Sequence, residues 1–164
     1  MFVWNELVAK RGSSEVTSCI LKYIELHFEQ LRAGEIRRLV VWSGCCIAQN
    51  NNWWCIALYD YLIVKKYFTS IDQKFLVSGH SFLPCDRDFA LIERRKNKST
   101  VYHRKQWLEI IVNANPAFHA YYIDKEDFID LSDIEGMFKM QPGFKIRSFH
   151  WIQFSSEEPN TVRT

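Results

Sequence analysis

What this sequence lacks narrows it first. No window approaches ~18 uninterrupted apolar residues, the length a membrane-spanning helix needs, so no membrane partner is expected. The opening residues, MFVWNELVAK, lack the charged region and apolar run of a secretory signal. Cys19, Cys45, Cys46, Cys55 and Cys85 are odd in number and fit no zinc spacing, and Cys45-Cys46 is a vicinal pair, not C-x-x-C. Reduced thiols in a nuclear or cytoplasmic protein are therefore expected. Charge of one sign is lacking too: a net +2 is too small to argue a nucleic-acid partner from charge alone. There is no internal repeat and no low-complexity segment.

What is present is apolar and aromatic. The 164 residues are 48% hydrophobic, with 12 Phe, 7 Tyr and 6 Trp, enough to bury a sizeable core and to argue against disorder over most of the length. Gly12-Ser13-Ser14-Glu15 offers a helix start, and Val16, Ile20, Tyr23, Ile24, Phe28 and Leu31 follow at helical spacing up to Gly34. Arg38 to Ser43, RLVVWS, reads as a strand covered on both faces because it does not alternate. Asn50 to Asn52 can cap a second helix, WWCIALYDYLIVKKYF. KFLVSGH reads as another apolar strand, and Pro84 and Asp86 open a third helix, acidic at its start and basic at its end. Two short strands bridged by a helix make a parallel crossover, hence an α/β layer. Beyond residue 100, KQWLEIIVNA predicts a helix, FHAYYI a strand, and KIRSFHWIQFS a strand with one aromatic face. DKEDFIDLSDIEGMF is acidic and turn-rich and does not follow the Ca²⁺-loop pattern. The residues from Glu157 are expected to fray.

The stretch GHSFLPCDRDFALIERRK carries the most chemistry. Asp86 and Glu93 lie two helical turns apart on one face, and Phe89 and Ile92 can face the core between them. His80 sits at the mouth of the preceding strand, and position 44 ends the other strand at the same sheet edge. Ligands of open α/β sheets gather at that edge. A carboxylate at 44 and one on the helix would make half of an oxygen-donor site for Mg²⁺ or Mn²⁺. The plainer alternative keeps Asp86 or Asp88 as a cap, Glu93 on a solvated face and His80 in a turn.

These residues resemble a domain of unknown function at the C-terminal end of many transposon-like proteins of insects and other invertebrates. In that family a strand ends in S-D-x-C-x-G-Q-N, here Ser43-Gly44-Cys45-Cys46-Ile47-Ala48-Gln49-Asn50. A later G-H-[ST]-x-x-x-x-D-x-x-F-x-x-[IV]-E corresponds to Gly79, His80, Ser81, Asp86, Phe89, Ile92 and Glu93, and W-[IF]-x-[FV] to Trp151-Ile152-Gln153-Phe154. FVWNELVAKRGSSEV is similar to the family's opening, and the likeness spans nearly the whole chain. The resemblance implies a ribonuclease-H-like fold of the transposase and integrase type. On that basis residues 1–100 are a truncated core (helix-strand-helix-strand-helix), 101–156 a C-terminal α+β extension packing on it, and 157–164 a tail.

The resemblance also implies two metal ions held by an acid on the first strand, one at a later strand end and one on the last helix. Glu93 would be the helix acid, with Asp86 and His80 as neighbours, although Asp86 and Asp88 compete for the same assignment. Two departures count against activity. The strand-end Asp falls on Gly44, which has no ligand atom, and the chain begins too late for the first strand. Gly44 reads as an acid replaced, with a turn glycine as the alternative.

The expectation is a transposon-derived, catalytically inactive domain with no cofactor (Mg²⁺ or Mn²⁺ if active). Arg94, Arg95, Lys96, Lys98, Arg104 and Lys105 are the candidate contacts for weakly bound DNA, or else a solvated helix end and loop. Trp53-Trp54 reads as core rather than as a base-stacking pair. An interaction module that self-associates through an uncovered sheet edge is the second reading. An active metal-dependent nuclease is the third.

Overall fold

The computed structural model describes residues 1–77, 82–129 and 145–164. Its elements run β1 (Phe2–Val3), α1 (Ser13–His27), β2 (Arg38–Ser43), α2 (Trp53–Val64), β3 (Ser70–Phe75), α3 (Pro84–Lys96), α4 (Arg104–Ala114), β4 (Tyr121–Tyr122), β5 (Trp151–Ser155) and β6 (Glu158–Arg163). The mixture is α/β, and the expected helix-strand-helix-strand-helix order is present from α1 to α3. No helix among the described residues is long and apolar enough to cross a membrane. The chain divides into two compact units: Met1–Lys10 with Phe82–Phe128, and Arg11–Ser81 with Ile129–Thr164. The sequence boundary at residue 100 falls inside the first of these, between α3 and α4.

The larger unit is built around α2. This helix is apolar on all sides, and such a helix must be surrounded. Cys55 to Asp60, Leu62 and Ile63 are all buried. Cys55, Ile56, Leu58, Tyr59, Leu62 and Ile63 pack with Leu21 and Ile24 of α1 and with Ile71, Phe75, Ile152 and Phe154 of the sheet. Fully burying one such Leu, Ile or Phe contributes roughly 1.5–3 kcal/mol. At its start, Asn52 Oδ1 accepts from the Cys55 N–H at 3.2 Å, the expected cap. α1 begins with Glu15 Oε2 accepting from the Gly12 N–H at 2.9 Å and ends at His27, well before the predicted Gly34.

The sheet of this unit has the order β2-β3-β5-β6. β2 and β3 are parallel in register Arg38↔Ser70 through Ser43↔Phe75, joined by α2 as the crossover the sequence predicts. β5 is antiparallel to β3, and β6 is antiparallel to β5. Three expectations are corrected here. β2 is not covered on both faces: Arg38, Val40 and Trp42 are exposed, and only the alternate residues turn inward. β3 lies earlier than KFLVSGH, because Ile71, Gln73 and Phe75 supply the inward period while Asp72 and Lys74 face out. The residues from Glu158 do not fray: they pair with β5, Val162 packs on the core, and Arg163 bridges Glu158 at 2.8 Å. KIRSFHWIQFS is divided between a 3-10 turn at Ile146–Ser148 and the strand, where Ile152 and Phe154 point inward and Trp151 outward.

The smaller unit is mostly helical. α3 and α4 pack through Ile92, Ile110 and Ile111, with Met1, Val3, Val101, Phe118 and Ala120 closing the cluster. β1 pairs in parallel with β4, Phe2↔Tyr121 and Val3↔Tyr122, which ties the first residues to this unit. Phe89, expected on the core side, is 59% exposed, since Ile92 is the buried position of α3.

Candidate functional site

In the larger unit the carboxyl ends of β2 and β3 form the edge at which α/β sheets collect ligands. The ladder continues one residue past β3, where the Leu76 N–H donates to the Ser43 carbonyl at 2.9 Å. A buried polar chain locks this end. The Tyr59 hydroxyl donates to Gln73 Oε1 at 2.7 Å, and Gln73 Nε2 donates to Ser43 Oγ at 2.8 Å. Burial pushes the Tyr59 phenol up, so it stays a donor. Gln73 is itself 2% exposed, and with both ends of its amide satisfied such a network fixes strand register. Sequence reading passed over Tyr59 and Gln73; the signal was a polar residue at an inward position of an alternating strand.

Gly44 follows directly. It is not one of the left-handed residues, which among those described are Gly34 and Lys66. A Cβ built at position 44 meets nothing within 4 Å. Neither backbone conformation nor crowding therefore requires glycine there. Cys45 is held by its Sγ–H donating to the Leu76 carbonyl at 3.1 Å. Beyond it the loop into α2 and the 3-10 turn before β5 enclose a cavity of about 600 Å³, lined by Ile47, Asn51, Asn52, Trp53, Lys145, Ile146, Arg147 and Ser148. Asn51 is 5% exposed and its Oδ1 is buried without a partner among the described residues. Trp53 is half-buried against the core, as its sequence reading expects.

The thiols of this unit differ in kind. Burial pushes Cys55 up to about 12, and burial, followed by the Glu15 carboxylate, pushes Cys19 up to about 11. Both are poor nucleophiles. Cys46 and, in the smaller unit, Cys85 are exposed.

The acids proposed for catalysis belong to the smaller unit, on α3. Asp86 Oδ2 accepts from the Leu83 N–H at 2.7 Å, closing the first turn of the helix, so its carboxylate has a capping partner. Asp88 is half-buried and Glu93 exposed. His80 lies outside the described residues. Within each unit no three His, Cys, Asp or Glu side chains among the described residues converge. The basic run lies on the end of α3, the turn after it and the start of α4: Arg94, Arg95, Lys96, Lys98 and Lys105 are exposed, and Arg104 opens α4. No curated protein and no solved structure matches the chain. A family model does match, over residues 1–162: the chain belongs to the family described as a domain of unknown function, DUF7869.

Proposed function

We propose that this chain is a transposon-derived domain of the ribonuclease-H-like transposase and integrase type, catalytically impaired, that keeps a weak hold on nucleic acid. Gly44 carries the reading. It ends the first strand of a parallel β2-α2-β3 crossover, where this fold type places an acid, and nothing local asks for glycine. The cavity at the loop into α2 has Lys145 and Arg147 in its lining and no carboxylate among the described residues. That chemistry suits a phosphate better than a pair of divalent cations, which need several oxygen donors. Among the described residues β2 is the outermost strand of its sheet and is parallel to β3, an arrangement compatible with a layer of this fold type.

Thermal melting against Mn²⁺ tests the impairment, because an ion bound by the folded state must raise its melting temperature. No shift is expected in the parent chain. A rise of several degrees would overturn the reading. Retention of a DNA duplex that falls steeply with salt, and is lost when Arg94, Arg95 and Lys96 are replaced by Ala, tests the nucleic-acid part.

A second reading, an interaction module, is favoured by one observation. The outer edge of β2 and its exposed Val40 and Trp42 offer a strand for pairing with another chain. Sedimentation of Val40→Lys against the parent separates it: an oligomer dispersed by that lysine supports the module.

A further inference from the structure

In the smaller unit, β1 and the loop leading into α4 line an open cavity of about 280 Å³. That is near the lower end, ~300 Å³, of small-molecule sites. Trp4, Tyr102, Trp107 and Tyr122 supply its aromatic walls, and His103 also lines it. Trp4 and the backbone of the loop that carries Tyr102 and His103 are held before any ligand arrives. The Trp4 indole N–H donates to the Lys10 carbonyl at 2.8 Å, and its ring meets Phe128 edge-on at 5.6 Å. The backbone N–H groups of Tyr102 and His103 both donate to Gln106 Oε1, at 2.7 and 2.8 Å. The Lys105 N–H donates to His103 Nδ1 at 3.2 Å, which leaves the neutral imidazole's proton on Nε2 as a donor. Tyr102 is 86% and Trp107 37% exposed, and neither is paired with another ring among the described residues.

Charge decides what such a cavity can take. Aromatic walls bind either cations or flat π-systems. A cation is disfavoured here. No carboxylate lines the cavity among the described residues. The loop that forms one wall joins two helix ends bearing Arg94, Arg95, Lys96, Lys98 and Lys105, all exposed and none ion-paired among the described residues. A planar group flanked by negative charge fits both features.

We propose that this cavity receives one unpaired nucleobase of a single-stranded nucleic acid, stacked on Tyr102 and Trp107, with the adjoining phosphates on the cations at the α3 and α4 ends. The inference rests on the nucleic-acid reading above and adds strand type to it: a paired base cannot leave its stack to enter without the cost of unpairing. Proteins that hold single strands combine these two elements, a cationic track and aromatic platforms.

Fluorescence anisotropy of the full chain with a fluorescein-labelled single-stranded DNA, and with its blunt duplex, tests this. The single strand is expected to bind more tightly. Tyr102→Ala and Trp107→Ala should weaken it by roughly 5- to 150-fold for each stack lost, and leave the duplex unchanged. Tyr102→Phe should keep parent affinity, and since Tyr102 is highly exposed its variants test stacking without unfolding the unit. Equal binding of both strands with Tyr102→Ala silent overturns the base pocket while leaving the nucleic-acid reading standing. Binding of neither at low salt overturns both. Quenching of tryptophan fluorescence by choline at micromolar concentration, with no response to the oligonucleotide, would reassign the cavity to cations.

Discussion

The two units solve the same problem with different resources. The sheet unit surrounds an all-apolar helix with a second helix and a four-stranded sheet, and its core joins Leu21 to Phe154 in one cluster. The helical unit closes over a small cluster of Ile92, Ile110 and Ile111, helped by the first residues of the chain, with Ile123 buried as well. The first is thick enough to hold a strand register with buried hydrogen bonds. The second leaves much of its aromatic surface to solvent. Buried packing is therefore concentrated in the sheet unit, and exposed aromatic side chains are more frequent in the helical one.

That contrast can be broken most forcefully in the sheet unit. Leu58→Ala removes a side chain with no exposed surface, and should cost about 2–5 kcal/mol of unfolding free energy in a urea titration. Alkaline pH comes next. The Cys55 thiol is raised in the folded chain, so above the ordinary thiol value of 9.0 the unfolded chain loses a proton that the folded one keeps. Stability should then fall as pH climbs from about 9 toward 12, by at most about 1.4 kcal/mol per pH unit for this thiol, with Cys55→Ala flattening the slope. A stability that rises over that interval would contradict the burial.

In the helical unit the expected changes are smaller and local. Ile110→Val should cost about 0.5–1.5 kcal/mol, seen as faster hydrogen exchange in α3 and α4 with α2 amides unaffected. Equal acceleration in α2 would erase the distinction between the units. Asp86→Ala removes the first-turn contact with Leu83 and should cost about 0.3–1 kcal/mol, read as fraying of the start of α3.

Much of this was legible from local signals. The Asn52 cap, the acid at position 15, Pro84 and the basic end of α3 mark helices by chemistry within a turn of themselves. The crossover from β2 to β3 was legible because strand-like segments flanked an apolar helix. The position of β3 was not. SIDQKF alternates, but its Asp and Lys suggest a loop until neighbours on both sides show that they lie on an outer face, where Asp72 accepts from the Trp151 indole at 2.8 Å and Lys74 lies 5.2 Å from the Trp42 ring centre. β6 was missed for a similar reason. EPNTVR has little strand character alone and becomes a strand by pairing with β5.

The candidate residues divide the same way. The basic run could be named in advance because its charges are adjacent in the chain. The cavity beside it could not, since Trp4 and Tyr122 are far apart in the sequence and come together through the β1–β4 pairing. By itself the sequence determined which segments coil, which carry positive charge, and that the residue after RLVVWS is a glycine with no ligand atom. Tertiary structure alone decided which strand face is wet and which distant rings share a cavity. Periodicity and capping act over a few residues, whereas a face or a pocket exists only once separate segments have packed.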